Sequence, residues 1–213
     1  GAGDGKITIA AAKKFSARAL GIEYNPDMVT HSQSNARAAG VLGKAQIVHG
    51  YIFVTDFTLA TVLTLYLLPS LNMKLRPQIL AMRPGTRVVA HAFNMEDWEP
   101  DETSDVDGRR AFLWIVPANV NGRWTMELSG GGGSEKLSLS LDQKFQRIEG
   151  VAYLGPVQAG LREPRLSGFK ISFAYVDNKS VRRDFTGRVT GNSMEGSFRT
   201  ESGQEGRWSA TKK

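Results

Sequence analysis

The spacing of hydrophobic residues changes near residue 118. Before it, stretches with apolar residues at helical spacing alternate with short apolar runs, which is the order expected for strands joined by helices around a parallel sheet. After it the helical spacing disappears, and alternating apolar and polar runs recur about every ten residues. The pattern predicts an α/β domain at residues 1–118, followed by a small antiparallel β meander or barrel at residues 119–213.

Three helices and four strands are predicted in the first domain. The helices are Lys6–Phe15, Pro26–Ala39 and Ser70–Met82, and the strands are Arg18–Glu23, Ala45–His49, Ala60–Leu67 and Thr86–His91. Pro26 suits a first helical position, whereas Pro77 is expected to bend the third helix. The apolar run Leu59–Leu68 is much shorter than the ~20 residues of a membrane helix, so it predicts a fully buried strand. We expect this domain to end in a hairpin at Ala111–Leu128.

The second domain is predicted to contain seven short strands. These are Trp124–Leu128, Leu137–Leu141, Arg147–Tyr153, Phe169–Tyr175, Val181–Val189, Met194–Thr200 and Arg207–Ala210. The similar fragments Gly122–Trp124 and Gly206–Trp208 indicate a first and a last strand that pair to close the sheet, and Gly130–Gly133 is predicted to be a flexible loop. The expected core aromatics are Trp124, Phe145, Phe169, Phe173, Phe185, Phe198 and Trp208.

Charge and composition narrow the possible partners. The net charge is +6, and residues 119–213 hold 15 Lys/Arg against 10 Asp/Glu. These basic residues are scattered rather than grouped, so nucleic acid binding is not expected. The absence of cysteine excludes disulfides and thiolate zinc sites. No transmembrane segment is predicted, and the compartment and the oligomeric state stay open.

A glycine-rich turn opens the chain, and an acidic residue follows it after one helix and one strand. The turn Gly1–Gly5 runs directly into a predicted helix, where glycines allow a ligand to approach the backbone and the helix offers free N–H groups. Glu23 ends the next strand, where a carboxylate accepts hydrogen bonds from both ribose hydroxyls of a nucleoside. Lys6 occupies the position where a dinucleotide-binding turn has its last glycine, which favours S-adenosyl-L-methionine over NAD.

Five segments together resemble a known family. They are Gly1-Ala2-Gly3-Asp4-Gly5-Lys6, Gly21-Ile22-Glu23-Tyr24-Asn25-Pro26, Leu65-Tyr66-Leu67-Leu68-Pro69, Arg83-Pro84-Gly85-Thr86-Arg87 and Met95-Glu96-Asp97-Trp98. Residues 1–118 resemble bacterial relatives of the mitochondrial protein-lysine N-methyltransferases, which are class I S-adenosyl-L-methionine-dependent methyltransferases. The resemblance implies a Rossmann-like, seven-stranded-type sheet, and its first strand is expected to be absent from this chain.

The resemblance also implies site residues. The cofactor-binding residues would be Gly1, Ala2, Gly3, Gly5, Glu23, Tyr24, Tyr51 and Leu67. The turn would lie under the methionine portion, Glu23 would hold the ribose, Tyr24 would pack on the adenine, and Leu67 would line the mouth where the methyl group meets its acceptor. The family usually has an aspartate at the position of Tyr51, and a tyrosine brings more bulk and no negative charge to the adenine amino group.

Methyl transfer requires alignment, desolvation and the loss of a proton from an amine acceptor, so neither a catalytic triad nor a metal is expected. The candidate catalytic or orienting residues are Tyr66, His91 and Asp97, because all three lie at or beyond predicted strand ends. Alternatively, Tyr66 is a core residue of its apolar strand and His91 is a strand-end histidine that bonds to the backbone.

Two functions of different class are compatible with the sequence. The first is an enzyme that methylates a protein or small-molecule amine, with lysine as the favoured acceptor and the β domain helping to dock the substrate. The second is a non-catalytic, methyltransferase-like protein whose β domain binds a partner or an apolar ligand. An open, apolar lumen in the β domain would favour the second.

Overall fold

The structure is a computed structural model that describes residues 1–130 and 133–213. These residues divide into two compact units. Unit 1 comprises Gly1–Ala81 and Val88–Leu113, and unit 2 comprises Met82–Arg87 and Trp114–Lys213. No helix within the described residues is long and apolar enough to cross a membrane.

Three helices and six short strands precede the large sheet. They are α1 (Lys6–Phe15), α2 (Pro26–Ala38), α3 (Pro69–Leu80), β1 (Ala19–Glu23), β2 (Ala45–His49), β3 (Val62–Leu65), β4 (Arg87–His91), β5 (Glu102–Val106) and β6 (Arg109–Ile115). The strands form two sheets, a parallel pair of β1 with β2 and a four-stranded sheet in the order β3-β4-β6-β5. All seven predicted elements are present, which confirms the alternating pattern, whereas β5 escaped prediction because its five residues are all exposed.

Local chemistry explains where the first two helices begin. Gly5 precedes α1 with a left-handed backbone (φ 80°), a conformation that suits glycine. The Asn25 side chain accepts hydrogen bonds from the N–H groups of Asp27 and Met28, and Pro26 follows as the first residue of α2. A small core that includes Ala12, Val29, Ala36, Ala45 and Ile47 then packs both helices against β1 and β2.

The prediction that residues 60–67 form a fully buried strand is wrong. Only Leu65 of β3 is buried, and the side chain of Val62 is 43% exposed. The alternative that Tyr66 is a core residue is also wrong, because this residue follows β3 and is 66% exposed. The apolar run therefore supplies exposed side chains at the end of a sheet rather than a hydrophobic core.

Nine antiparallel strands form the large sheet of unit 2. They are β7 (Gly122–Gly130), β8 (Gly133–Lys144), β9 (Arg147–Leu154), β10 (Val157–Gly160), β11 (Arg162–Ser167), β12 (Lys170–Val176), β13 (Arg182–Thr190), β14 (Ser193–Thr200) and β15 (Glu205–Lys212). Their order is β10-β9-β8-β7-β15-β14-β13-β12-β11. The predicted antiparallel β domain is thus confirmed, with the short strands β10 and β11 in addition. Residues 131 and 132 of the predicted glycine loop lie outside the described residues.

The prediction that the first and last strands of this sheet pair is confirmed. β7 lies antiparallel to β15, with Trp208 opposite Leu128 and Lys212 opposite Trp124. The predicted hairpin at residues 111–128 is wrong, because β6 pairs with β4 and β5 whereas β7 pairs with β8 and β15. The sequence pattern identified both strands of that hairpin but not their partners, which are distant in the chain.

The large sheet is nearly closed. Its two edge strands, β10 and β11, are separated only by Leu161, whose N–H donates to the carbonyl of Gly150 in β9 at 2.9 Å. Gly187, Gly196 and Trp208 occupy facing positions on three adjacent strands, and a Cβ on Gly196 would overlap the carbonyl of Thr186. The Trp208 indole covers these glycines and donates to that carbonyl at 3.0 Å. Glycines covered by an aromatic ring are a device that lets a sheet bend sharply.

The interior of unit 2 is filled by side chains. Of the seven predicted core aromatics, five are buried, whereas Phe145 and Phe169 are only partly buried because they lie at the strand ends. Tyr175 is fully buried as well, and its ring stacks on Phe185 at a centroid distance of 5.1 Å. Burial raises the pKa of the Tyr175 hydroxyl above its ordinary value.

Candidate active site

The glycine turn is bonded to the carboxylate at the end of β1. The Gly3 N–H donates to Oε2 of Glu23 at 2.8 Å, and the Asn25 N–H donates to Oε1 at 3.1 Å. The Ala2 N–H also donates to the carbonyl of Ile22, so backbone and side chain together hold the turn against β1. Glu23 is only 4% exposed, because the turn covers it.

The glycines of this turn have separate structural reasons. A Cβ on Gly1 would overlap Oε2 of Glu23, so a larger residue would displace the carboxylate. Gly3 and Gly5 have left-handed backbones, with φ values of 57° and 80°. Gly5 provides no side-chain cap to α1, so the backbone N–H groups at the start of this helix face no competing side chain of its N-cap residue.

The Glu23 carboxyl is held in its charged form. Burial opposes its ionisation, but N–H groups of Gly3, Asn25 and Tyr24 and the ammonium group of Gly1 together hold the pKa of Glu23 below its ordinary value of 4.5. A carboxylate accepts about four hydrogen bonds, so acceptor capacity remains beside the turn.

Two exposed tyrosines lie close to this carboxylate along the chain. Tyr24 follows Glu23 directly, is 66% exposed, and has its carbonyl 2.9 Å from Nε2 of His49. Tyr51 is 61% exposed and follows Gly50, whose N–H donates to the carbonyl of Glu23 at 2.9 Å. Both aromatic faces are therefore available to a flat ligand beside the glycine turn.

A second group of site residues lies at the ends of two neighbouring strands. Tyr66 follows β3 and His91 ends β4, and their ring centroids are 4.8 Å apart with the planes tilted by 47°. Leu67 is partly buried next to Tyr66, whereas Leu68 is 61% exposed. The sheet therefore brings together two of the three predicted catalytic residues.

Asp97 contacts a residue that the sequence pattern did not identify. Its carboxylate forms an ion pair with Arg76 of α3, and Arg76 also donates to the carbonyl of Met95 at 3.2 Å. Asn72, one turn earlier on α3, is fully buried and donates to the carbonyl of Phe93 at 3.3 Å. No sequence signal distinguishes these two helix residues from ordinary surface positions, because their partners lie about 20 residues away in the chain.

Chemically, the arrangement suits a nucleoside-containing cation and a nucleophile. The carboxylate, the glycine turn and the exposed aromatic faces fit the ribose, the amino acid portion and the base of S-adenosyl-L-methionine. Tyr66 and His91 offer a hydroxyl and an imidazole, the polar groups by which an amine is oriented and loses a proton.

Comparisons with known proteins agree with this geometry. Residues 1–102 match the model of the ANTKMT methyltransferase domain family. A protein-lysine N-methyltransferase of Saccharolobus islandicus (strain REY15A) is 41% identical over 122 residues, covering 54% of this chain and 76% of the relative. A mouse lysine N-methyltransferase, named for an ATP synthase component, is 34% identical over 105 residues, which cover 49% of this chain and 42% of the mouse protein.

A solved structure also matches the first half of the chain. It is an RNA methyltransferase of Salinibacter ruber in complex with S-adenosyl-L-homocysteine, which is 45% identical and aligns with a TM-score of 0.55 over 56% of this chain and 79% of that chain. The resemblance stated from the sequence motifs is thereby confirmed. On these grounds, the chain belongs to the ANTKMT-type protein-lysine N-methyltransferase family of class I S-adenosyl-L-methionine-dependent methyltransferases.

Proposed function

We propose that this enzyme transfers the methyl group of S-adenosyl-L-methionine to the side-chain amine of a protein lysine. The observation that carries the proposal is the glycine turn bonded to Glu23 in a chain of this family. The names of the Saccharolobus and mouse relatives support lysine as the acceptor. Both are described as lysine N-methyltransferases, and an amine acceptor agrees with the Tyr66–His91 pair.

The cofactor would lie along the turn and the strand ends. Gly1, Ala2, Gly3 and Gly5 would contact the methionine portion, because their backbones approach a ligand closely. The remaining acceptor capacity of Glu23 would serve the ribose hydroxyls. The exposed rings of Tyr24 and Tyr51 would flank the adenine, and Leu67 would line the mouth towards the acceptor.

When bound, S-adenosyl-L-methionine supplies a methyl group activated by its sulfonium charge. The residues of the chain have to align a neutral amine and remove its proton, since a protonated amine has no lone pair with which to attack. The His91 imidazole would accept this proton, and the Tyr66 hydroxyl would orient the amine through a hydrogen bond. Asp97 would act less directly, through its ion pair with Arg76.

The finer architecture is part of the same proposal. We propose that residues 1–118 are the methyltransferase domain and that residues 119–213 are the β domain. Among the described residues, the edge strands β1 and β3 each have only one neighbour in their sheets. One further strand between them would pair both edges and merge the two sheets into a Rossmann-like sheet of the seven-stranded type.

The non-catalytic alternative is less well supported. Family membership favours an enzyme, and the side chains that fill unit 2 occupy the space an apolar ligand would need. A groove of about 740 Å³ in unit 2 is lined largely by hydroxyl and charged side chains, which do not suit an apolar ligand.

The experiment that tests the proposal is a methyl transfer assay with radiolabelled S-adenosyl-L-methionine. Poly-L-lysine, poly-L-arginine and transfer RNA serve as acceptor probes, and the labelled product is hydrolysed and identified by mass spectrometry. We expect methyl-lysine from the wild-type chain and a large reduction for Glu23→Gln. Label in RNA alone would contradict the lysine acceptor, and binding of S-adenosyl-L-homocysteine without transfer to any probe would support the non-catalytic alternative.

A further inference from the structure

Helix α3 contacts the loop that follows β2 through two side chains. Nε2 of Gln78 donates to the carbonyl of Phe53 at 2.9 Å, and Nζ of Lys74 lies 4.3 Å from the centroid of the Phe53 ring. The Phe53 ring in turn lies 6.2 Å from the ring of Tyr51. The helix therefore holds the loop that carries the tyrosine proposed to flank the adenine.

The same helix contacts the loop that follows β4 through two other side chains. Asn72 donates to the carbonyl of Phe93, and Arg76 donates to the carbonyl of Met95 and pairs with Asp97. This loop begins directly after His91. Its first residue, Ala92, has a left-handed backbone (φ 64°), which is unfavourable for alanine and persists only where surrounding contacts maintain it.

Helix periodicity explains how one helix reaches two loops. Within each pair, Lys74 with Gln78 and Asn72 with Arg76, the residues are four positions apart and lie on one face. The two pairs are rotated by roughly 160° to 200° from each other, because each residue advances about 100°. The buried Leu75 and Ile79 lie on the side between them and anchor the helix.

Asn72 is an unfavourable residue for stability alone. It is completely buried, and its Oδ1 has no hydrogen-bond partner among the described residues. Leaving a buried polar atom without a partner costs about 1–3 kcal/mol, whereas an apolar side chain of similar size would avoid that cost. The amide is therefore better explained by its bond to Phe93 than by packing.

We propose that α3 positions the two sides of the active site independently. Gln78 and Lys74 are positioning residues for the cofactor-side loop, and Asn72 and Arg76 are positioning residues for the acceptor-side loop. This inference rests on the proposed function in assigning the two loops to cofactor and acceptor. The two ties themselves are independent of that assignment.

The test uses Asn72→Leu and Gln78→Leu, each of which removes one tie. For Asn72→Leu we expect kcat with poly-L-lysine to fall about tenfold, because misplacing reacting groups by a fraction of an ångström slows transfer, while the Kd of S-adenosyl-L-homocysteine changes less than about twofold. For Gln78→Leu we expect the reverse, a Kd raised about fivefold and a kcat at saturating cofactor within about twofold.

Gln33→Leu is the matched control. Gln33 of α2 makes the same kind of bond, to the carbonyl of Ile47 at 2.9 Å, but its partner lies within β2 rather than in a site loop. We expect this control to lower thermal stability without separating Kd from kcat. If all three variants changed Kd and kcat in parallel, the inference would be overturned.

Amide hydrogen exchange tests the ties without any activity. Asn72→Leu should speed exchange at residues 92–98 but not at residues 51–55, and Gln78→Leu should do the opposite. Unchanged exchange in both loops would overturn the inference even in an active enzyme. If the exchange pattern holds while the wild-type chain neither binds S-adenosyl-L-homocysteine nor transfers methyl groups, the proposed function fails and the positioning of the loops by α3 stands.

Discussion

Glu23 in unit 1 and Asp177 in unit 2 are both almost fully buried, and N–H groups of a turn bind both carboxylates. Asp177 accepts hydrogen bonds from the N–H groups of Lys179 and Val181, and it also pairs with Arg183 at 3.0 Å. Within the described residues, no arginine or lysine side chain bonds to Glu23.

This difference separates a structural carboxylate from one available to a ligand. Arg183 neutralises Asp177 and is itself bound by Glu135, so the charges of that cluster are satisfied within unit 2. Glu23 depends on a glycine turn that opens towards exposed tyrosines. A buried carboxylate without a side-chain cation keeps its negative charge for hydroxyl donors of a ligand.

The largest expected difference concerns the affinity for S-adenosyl-L-homocysteine. Glu23→Gln should weaken binding about 10- to 100-fold, because it removes a charged acceptor worth roughly 1.5–3 kcal/mol. Asp177→Asn should leave the affinity unchanged, although it removes an equally buried charge. Calorimetric titration of both variants measures this, and equal losses in the two would refute the distinction between the carboxylates.

The next difference concerns stability. Asp177→Asn should lower the free energy of unfolding by about 1–3 kcal/mol, since an amide cannot accept all of the bonds that the carboxylate accepts and leaves Arg183 less well paired. Asp142→Asn, at an exposed position of β8, is the control and should change stability by less than about 0.5 kcal/mol. Urea unfolding followed by tryptophan fluorescence compares them, and equal effects would contradict a structural role of Asp177.

A smaller effect should appear in the pH dependence of that stability difference. Burial opposes ionisation of Asp177, but the turn N–H groups and Arg183 hold the pKa of its carboxyl below the ordinary value of 3.8. A lowered folded-state pKa means that the stabilisation is fully present above about pH 4 to 5 and is lost as the pH falls through the folded-state pKa. The difference between wild type and Asp177→Asn should therefore shrink on acidification, and an increase would contradict this mechanism.

The smallest predicted effect sharpens the assignment of the cofactor side. Tyr51→Asp restores the residue usual in the family, so it should strengthen binding of S-adenosyl-L-homocysteine about fivefold if this residue faces the adenine amino group. Tyr51→Phe is the control and should change the affinity less than about twofold. Calorimetry distinguishes the two, and tighter binding by the phenylalanine variant would instead indicate stacking.

The local features of the candidate site were predictable from sequence. The glycine turn, Glu23 at the end of β1 and Asn25–Pro26 at the start of α2 are close in the chain, and their bonds are short-range or follow from one strand–helix unit. Tyr66 and His91 were identified as residues beyond strand ends. Their proximity followed from the pairing of β3 with β4, which the pattern suggested only in general terms.

Other features depended on contacts between distant segments. Asn72, Arg76 and Gln78 look like ordinary helix residues, and their roles emerge only because α3 lies between two loops. The wrong hairpin at residues 111–128 has the same origin. Alternation of apolar residues identifies a strand, but it does not identify the strand with which it pairs.

The sequence by itself determined the family, most helices and strands, and the charge and glycines of the cofactor turn. These features are encoded by residue types at fixed short spacings. Only the tertiary structure decided which strands pair, which carboxylate is neutralised by an arginine, and which side chains of α3 hold the two loops. Each of these outcomes depends on the distance between residues that are far apart in the chain, and that distance is set by packing of the whole unit rather than by local preference.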